Sequence, residues 1–201
     1  MWGSNSRGAL GQNSLIKRSS PVQVGSATDW SYITVGYEGT VAAINTSGEL
    51  WTWGYGNLGG NGVNNRTQYS SPVQVPGTTW DKVDGGGNYI LAVKTDGTLW
   101  AWGYNANGML GHNNTTNYSS PVQVPGTTWA TIGLGERLSV ETKTDGTLWA
   151  WGSNTMGQLG QNNRTNYSSP KQIPGTSWAL GPKMDHINGY NGGPIVALKD
   201  I

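Results

Sequence analysis

An all-β chain built of propeller-type blades is what three features of this sequence predict. A unit of 49 residues recurs, three of its copies carry a strand-turn-strand signature, and Gly, Asn, Ser and Pro clusters separate short apolar runs. The signature is clearest at 94–103, KTDGTLWAWG, which returns at 143–152 and, more weakly, at 45–54 as NTSGELWTWG. Asp96-Gly97 and Asp145-Gly146 lie between strand-type runs, and Asp-Gly pairs there predict type I′ hairpin turns with positive φ at both central positions. On the strand that follows, Trp100 and Trp102 flank Ala101, Trp149 and Trp151 flank Ala150, and Trp51 and Trp53 flank Thr52. Successive strand side chains point to opposite faces, so the indoles share one face and the small residues the other. These six tryptophans are the expected core, and their face needs a partner surface.

Trp53, Trp102 and Trp151 stand 49 residues apart, with Trp2 a further 51 before Trp53. The Ser-Pro pairs at 20–21, 71–72, 120–121 and 169–170 keep step, as do Trp30, Trp80, Trp129 and Trp178. The copies are 2–52, 53–101, 102–150 and 151–201, a single repeat domain over 1–201 that also fits a segment of a longer chain. In copy one the expected strands are 20–24, starting at a proline that need not donate to a ladder, then 30–35, 41–44 and 50–53. Four short strands at this period favour a propeller blade over a sandwich. Copies two and three repeat the pattern with clearer strands, including 90–94 and 140–143. Copy four starts well and decays after Trp178; 196–200 still answers 91–95, but the closing GTLWAW strand is missing. That strand would come from the chain's own N-terminus, a neighbouring chain or further sequence. A few indoles per unit cannot offset the entropy of ordering 49 residues, so the blades must stack on one another, in a partial ring or one completed by oligomerisation.

Composition narrows the partners. With 201 residues, a net charge of +1 and 11% charged residues, nothing steers the chain toward nucleic acid. It has 32 Gly and 11 Trp but no Phe and no Cys, which excludes a disulfide framework and a thiolate zinc site. No run of 18 apolar residues predicts a membrane-inserted helix, and Met1-Trp2-Gly3-Ser4 does not open a signal segment.

The residue types that carry chemistry are sparse. Asp96, Gly97, Asp145 and Gly146 are assigned to turns, where Asp bonds locally. The other acids share no close spacing between copies, so a polysaccharide-acting enzyme would have to draw two carboxylates from different blades. His112 and His186, without Cys or an EF-type loop, make no metal site, and neither a phosphate loop nor a nucleophile elbow is present. No catalytic residue and no cofactor are assigned. The loops ahead of the Ser-Pro strands are the better candidates: Asn65, Arg66 and Tyr69; Asn114 and Tyr118; Asn163, Arg164 and Tyr167. Repetition places them along one rim, a polar surface suited to protein or sugar. The alternative is that Asn closes the turn and Tyr packs on the next blade.

The run WGSNTMGQLGQ, then SPKQIPG, then AVKTDGTLWAWG resembles the regulator of chromosome condensation repeat, through all four copies. The resemblance implies β-propeller blades, usually seven to a ring. Its frequent third-strand His is replaced here by Thr40, Tyr89, Leu138 and Pro194. The nucleotide-exchange surface of the name-giving protein matches no residue here, whereas the near-identical Asn/Gly/Thr-rich copies are similar to bacterial and phage members. The expected function is a non-enzymatic binding or structural module in a phage particle or bacterial surface assembly. Its expected partners are protein, self included, or a surface glycan, with a virion or extracellular location.

Overall fold

A computed structural model describes residues 1–178. Among them are twelve strands and no helix. The strands form three four-stranded antiparallel sheets. The first comprises β1 (Trp30–Val35), β2 (Thr40–Asn45), β3 (Leu50–Gly54) and β4 (Tyr69–Val75). The second comprises β5 (Trp80–Gly85), β6 (Tyr89–Lys94), β7 (Leu99–Gly103) and β8 (Tyr118–Gln123), and the third β9 (Gly133–Leu134), β10 (Leu138–Thr142), β11 (Leu148–Gly152) and β12 (Tyr167–Ile173). The innermost strands β1, β5 and β9 lie next to one another. The expected strand at 196–200 falls outside the described residues.

Sheets and sequence copies are out of phase. β4 belongs to copy two yet pairs with β3 of copy one, placing Leu50 opposite Val75 and Gly54 opposite Tyr69; β8 and β12 join the preceding copy in the same way. This explains why the strand expected at 20–24 does not form. Its partner would be a Leu-Trp-Ala-Trp strand ahead of it in the sequence, of which only Met1-Trp2-Gly3 corresponds. Gly3 bridges Arg18, as Gly54 pairs with Tyr69, and the amide of Val22 donates to the carbonyl of Met1 at 3.0 Å.

The hairpin turns also differ from expectation. Gly97 and Gly146 both take φ +76°, but neither Asp96 nor Asp145 has positive φ. The amide of Gly97 donates to the carbonyl of Lys94, and that of Lys94 to the carbonyl of Thr98, both at 2.9 Å. This is a type I turn closed by a left-handed residue, the three-residue hairpin alternative to type I′. Each Asp side chain fixes it: Asp96 Oδ1 accepts from the amide of Thr98 at 2.9 Å and from its hydroxyl at 2.7 Å, and Asp145 does the same with Thr147.

The indole face finds its partner in the neighbouring blade or, for the first sheet, in the N-terminal segment. Trp53, Trp102 and Trp151 are fully buried, while Trp51, Trp100 and Trp149 are half-buried. The Nε1 of Trp53 donates to the carbonyl of Ala9, that of Trp102 to Gly60 and that of Trp151 to Met109, at 2.7–2.9 Å. The accepting loops must come very close. A Cβ on Gly62, at φ +67°, would stand 2.6 Å from Trp102 Nε1, whereas one on Gly25, at φ +61°, would meet nothing within 4 Å. Gly25→Ala is expected to cost about 1–2 kcal/mol, the left-handed penalty alone, and Gly62→Ala clearly more. Urea unfolding of the two variants checks this, and equal losses would contradict the packing.

Candidate functional site

The rim loops are built from bonds inside themselves. Asn65 Nδ2 donates to the carbonyl of Val63 at 3.3 Å and to the Tyr69 hydroxyl at 2.9 Å, while its Oδ1 accepts from the amide of Thr67. Asn114 with Tyr118, and Asn163 with Tyr167, repeat this arrangement. The asparagine amides are thereby committed to closing the turn. Arg66 and Arg164 stand exposed at the loop tips. Asn13, Asn64 and Asn113 take φ of 49–59°, the last two each one residue ahead of a rim asparagine and Asn13 at the corresponding place in copy one. Their amides donate to the carbonyls of Ser70, Ser119 and Ser168 in the next blade, each at 2.7 Å.

At the inner edge, Asp84 on β5 joins three sheets. Its Oδ1 accepts from the Thr34 hydroxyl of β1 at 2.9 Å, and its Oδ2 from the amide of Leu134 on β9 at 3.1 Å. Tyr89, fully buried, donates its hydroxyl to the carbonyls of Gly135 and Leu138 in the third blade. Burial pushes its phenol well above the ordinary range. Glu141 on β10 is buried with both carboxylate oxygens lacking a hydrogen-bond partner. Desolvation first, and the charge of Asp84 second, raise its pKa well above the usual carboxylate value. By repeat position, Glu141 replaces Ala43 and Ala92.

A third feature lies on the first blade. Trp30 and Trp51 stand edge to face, ring centres 6.3 Å apart, in a cleft of about 330 Å³ that Asp29, Asn45 and Glu49 also line. Two carboxylates thus share a cleft on one blade. Asp29 is exposed and Glu49 half-buried, accepting from the Asn45 amide at 2.8 Å, so neither is enclosed as a general acid requires. His112 contacts the carbonyl of Ala101 at 3.3 Å and the Tyr118 ring edge, and burial lowers its pKa. Among the described residues no three His, Asp or Glu side chains cluster as metal ligands would.

The sequence matches the family described as "Regulator of chromosome condensation (RCC1) repeat" over 1–43, 96–140 and 145–179, more than half of the chain, and a second pattern of that description over 80–108. The chain belongs to the regulator of chromosome condensation repeat family. Similar solved structures include human WBSCR16, at 23% identity and a TM-score of 0.74 over 86% of this chain and 47% of that one. Prp20p from Saccharomyces cerevisiae, described as binding Gsp1p and histones, is 17% identical with a TM-score of 0.75 over 87% and 46%. The complex of Kap60 with yeast Prp20 gives 18% and 0.70 over 88% and 46%. This chain therefore spans about half the length of the structures it matches.

Within this repeat family fold, two departures from the usual sequence have visible consequences. Tyr89, in the place of the frequent His, makes the inter-blade bonds just described, and Thr40 donates to the carbonyl of Tyr55 at 2.6 Å. Sequence reasoning missed Asp84, which has no counterpart carboxylate in the other copies, and the first-blade cleft, whose residues come from separate stretches.

Glu141 generates a pH prediction. The unfolded chain loses this proton near pH 4.3, whereas the folded chain retains it to higher pH. The folded state thus binds more protons, and stability falls as pH rises from about 4.3 toward the raised value. Glu141→Ala is expected to remove that slope and to stabilise the protein at pH 8 by about 1–3 kcal/mol, the cost of an unpaired buried polar group. Urea midpoints at pH 5 and pH 8 check both; an unchanged slope would contradict the assignment.

Proposed function

We propose that this chain is a non-enzymatic protein-binding module whose contact surface is the inner half of the first blade's leading face. The observation that carries the reading is a mismatch in exposure between corresponding residues. Val83 on β5 is 2% exposed, packed with Ala42 and Ile44 of the first sheet. Ile33, at the same position of β1, is 48% exposed, and Val35 is 39% exposed. Both sit opposite residues of the buried Val41-Ala43 side of β2. The N-terminal segment covers the outer half of that face, where Met1 and Ala9 pack with Val41, Ala43 and Trp53. What remains is the apolar strip that a preceding blade covers in the second sheet. Apolar strips of this kind mark interaction sites. The partner proposed is therefore another blade of the same repeat, with a second copy of the chain as the source to be tested.

Family precedent supports protein as the ligand class, since Prp20p is described as binding Gsp1p and histones and a solved complex pairs it with Kap60. Placement in a phage particle or bacterial surface assembly, and a glycan ligand at the loop rim, rest on the character of the repeats alone. Nucleotide exchange has only the fold likeness behind it. A polysaccharide-acting enzyme would need two carboxylates drawn from different blades, whereas Asp29 and Glu49, which share a cleft, lie on one.

Light scattering and native mass measurement of the full chain test the proposal. Assembly above the single-chain mass of 21.4 kDa is expected, with the Ile33→Asp, Val35→Asp double variant returning to that mass while keeping its circular dichroism. A wild-type chain that stays at 21.4 kDa at all concentrations would contradict it.

A further inference from the structure

On the first blade a pair of indoles lacks the ammonium group that its two counterparts hold. In the second sheet Lys94 Nζ stands 4.8 Å from the Trp80 ring centre and 4.3 Å from that of Trp100. In the third, Lys143 Nζ stands 4.6 Å from Trp129 and 4.8 Å from Trp149. A cation within about 6 Å of an indole face is held by the ring quadrupole, and here each ammonium is shared by two rings set nearly perpendicular, at 80° and 73°. Trp30 and Trp51 reproduce that pair at 90°. The residue facing Trp30 across the β1–β2 ladder is Asn45, where Lys94 faces Trp80 and Lys143 bridges Trp129.

Two neighbouring positions change in a matching sense. Glu49 replaces Thr98 and Thr147, whose hydroxyls accept from Trp100 and Trp149 Nε1 at 2.9 and 2.8 Å. Asp29 replaces Thr79 and Thr128, one residue before the first indole of each pair. The site has lost its own cation and gained two carboxylates, and among the described residues no ion pair reaches either of them. The loop ahead of Trp30, VGSATDW, is one residue longer than VPGTTW and lacks its proline, and the cleft between loop and indoles is open.

We propose that the first-blade cleft binds an external ammonium group between Trp30 and Trp51, with Asp29 and Glu49 supplying the counter-charge. Indole faces with nearby carboxylates suit a lysine side chain, free or methylated, or a small quaternary ammonium. The inference deepens the protein-binding reading and rests on it only for the source of the cation.

Titration of the full chain, followed by the indole N–H signals of Trp30 and Trp51, tests it. Choline is the first probe and 3,3-dimethyl-1-butanol its neutral isostere. Choline is expected to shift both signals saturably and to bind roughly tenfold more tightly than the isostere. Asn45→Lys, which installs the internal ammonium of the other two sheets, is expected to abolish choline binding while circular dichroism shows the chain still folded, although it removes the bonds that Asn45 Oδ1 accepts from the amides of Ser47 and Glu49. Glu49→Thr, which restores the residue of the later copies, is expected to weaken it several-fold. Gly-Lys-Gly peptides with free and trimethylated lysine separate the sources: binding by either peptide supports a protein side chain, and binding by choline alone supports a small quaternary ammonium. Equal binding of choline and its isostere, or choline binding undiminished in Asn45→Lys, would overturn the proposal. Because Asn45→Lys leaves Ile33 and Val35 untouched, assembly persisting while choline binding is lost distinguishes this site from the leading-face contact.

Discussion

An indole N–H reaching to a carbonyl of the adjoining blade is the interaction on which this structure depends. Trp102 and Trp151 make it to the blade before them and Trp53 makes it to Ala9 of the N-terminal segment, and all three are fully buried. The amides of the left-handed asparagines reinforce the same joint by donating to the next blade. A single four-stranded sheet here has two faces and little apolar volume of its own. Its core residues are therefore shared: Val83, Ile90 and Trp102 of the second sheet pack in one cluster with Ala42, Ile44 and Leu50 of the first. Stability of this kind is a sum of neighbour contacts, as in other repeat proteins.

The strands and tryptophan core were legible because alternation and a 49-residue period survive in the sequence. The pairing phase was not. Nothing in SSPVQV itself says whether it joins the strand before it or the strands after it, and only the ladder of β3 with β4 decides. The turn type was misjudged for a local reason. Asp-Gly suits both hairpin classes, and the extra Thr95 in the loop selects the type I form with one left-handed residue.

The candidate site was less legible than the fold. Asn, Thr and Tyr in a loop suit either adaptable recognition or turn closure, and the choice depends on where each amide points. The bonds from Asn65 to Val63 and Tyr69 span two and four residues, within the loop itself. The first-blade cleft draws Asp29, Asn45 and Glu49 from separate stretches, so no motif marks it. The signal that could have found it is the position-by-position difference between copies, Lys to Asn and Thr to Glu or Asp around an indole pair that stays unchanged. Repetition fixes the scaffold, and departures from it carry the information about specialisation. Glu141, where the other copies have Ala, is a departure that buries a carboxyl without a partner, whereas those on the first blade border an open cleft, with Asp29 exposed, Glu49 half-buried and Asn45 buried.

Native-state hydrogen exchange tests the dependence of each blade on its neighbours most directly. Shared cores predict that the amides of β2, β6 and β10 exchange through one common opening, with a single free energy and a single urea dependence. If one sheet opened on its own while the other two kept their full protection, the blades would be independent units, and the account of this fold as a set of shared interfaces would be wrong.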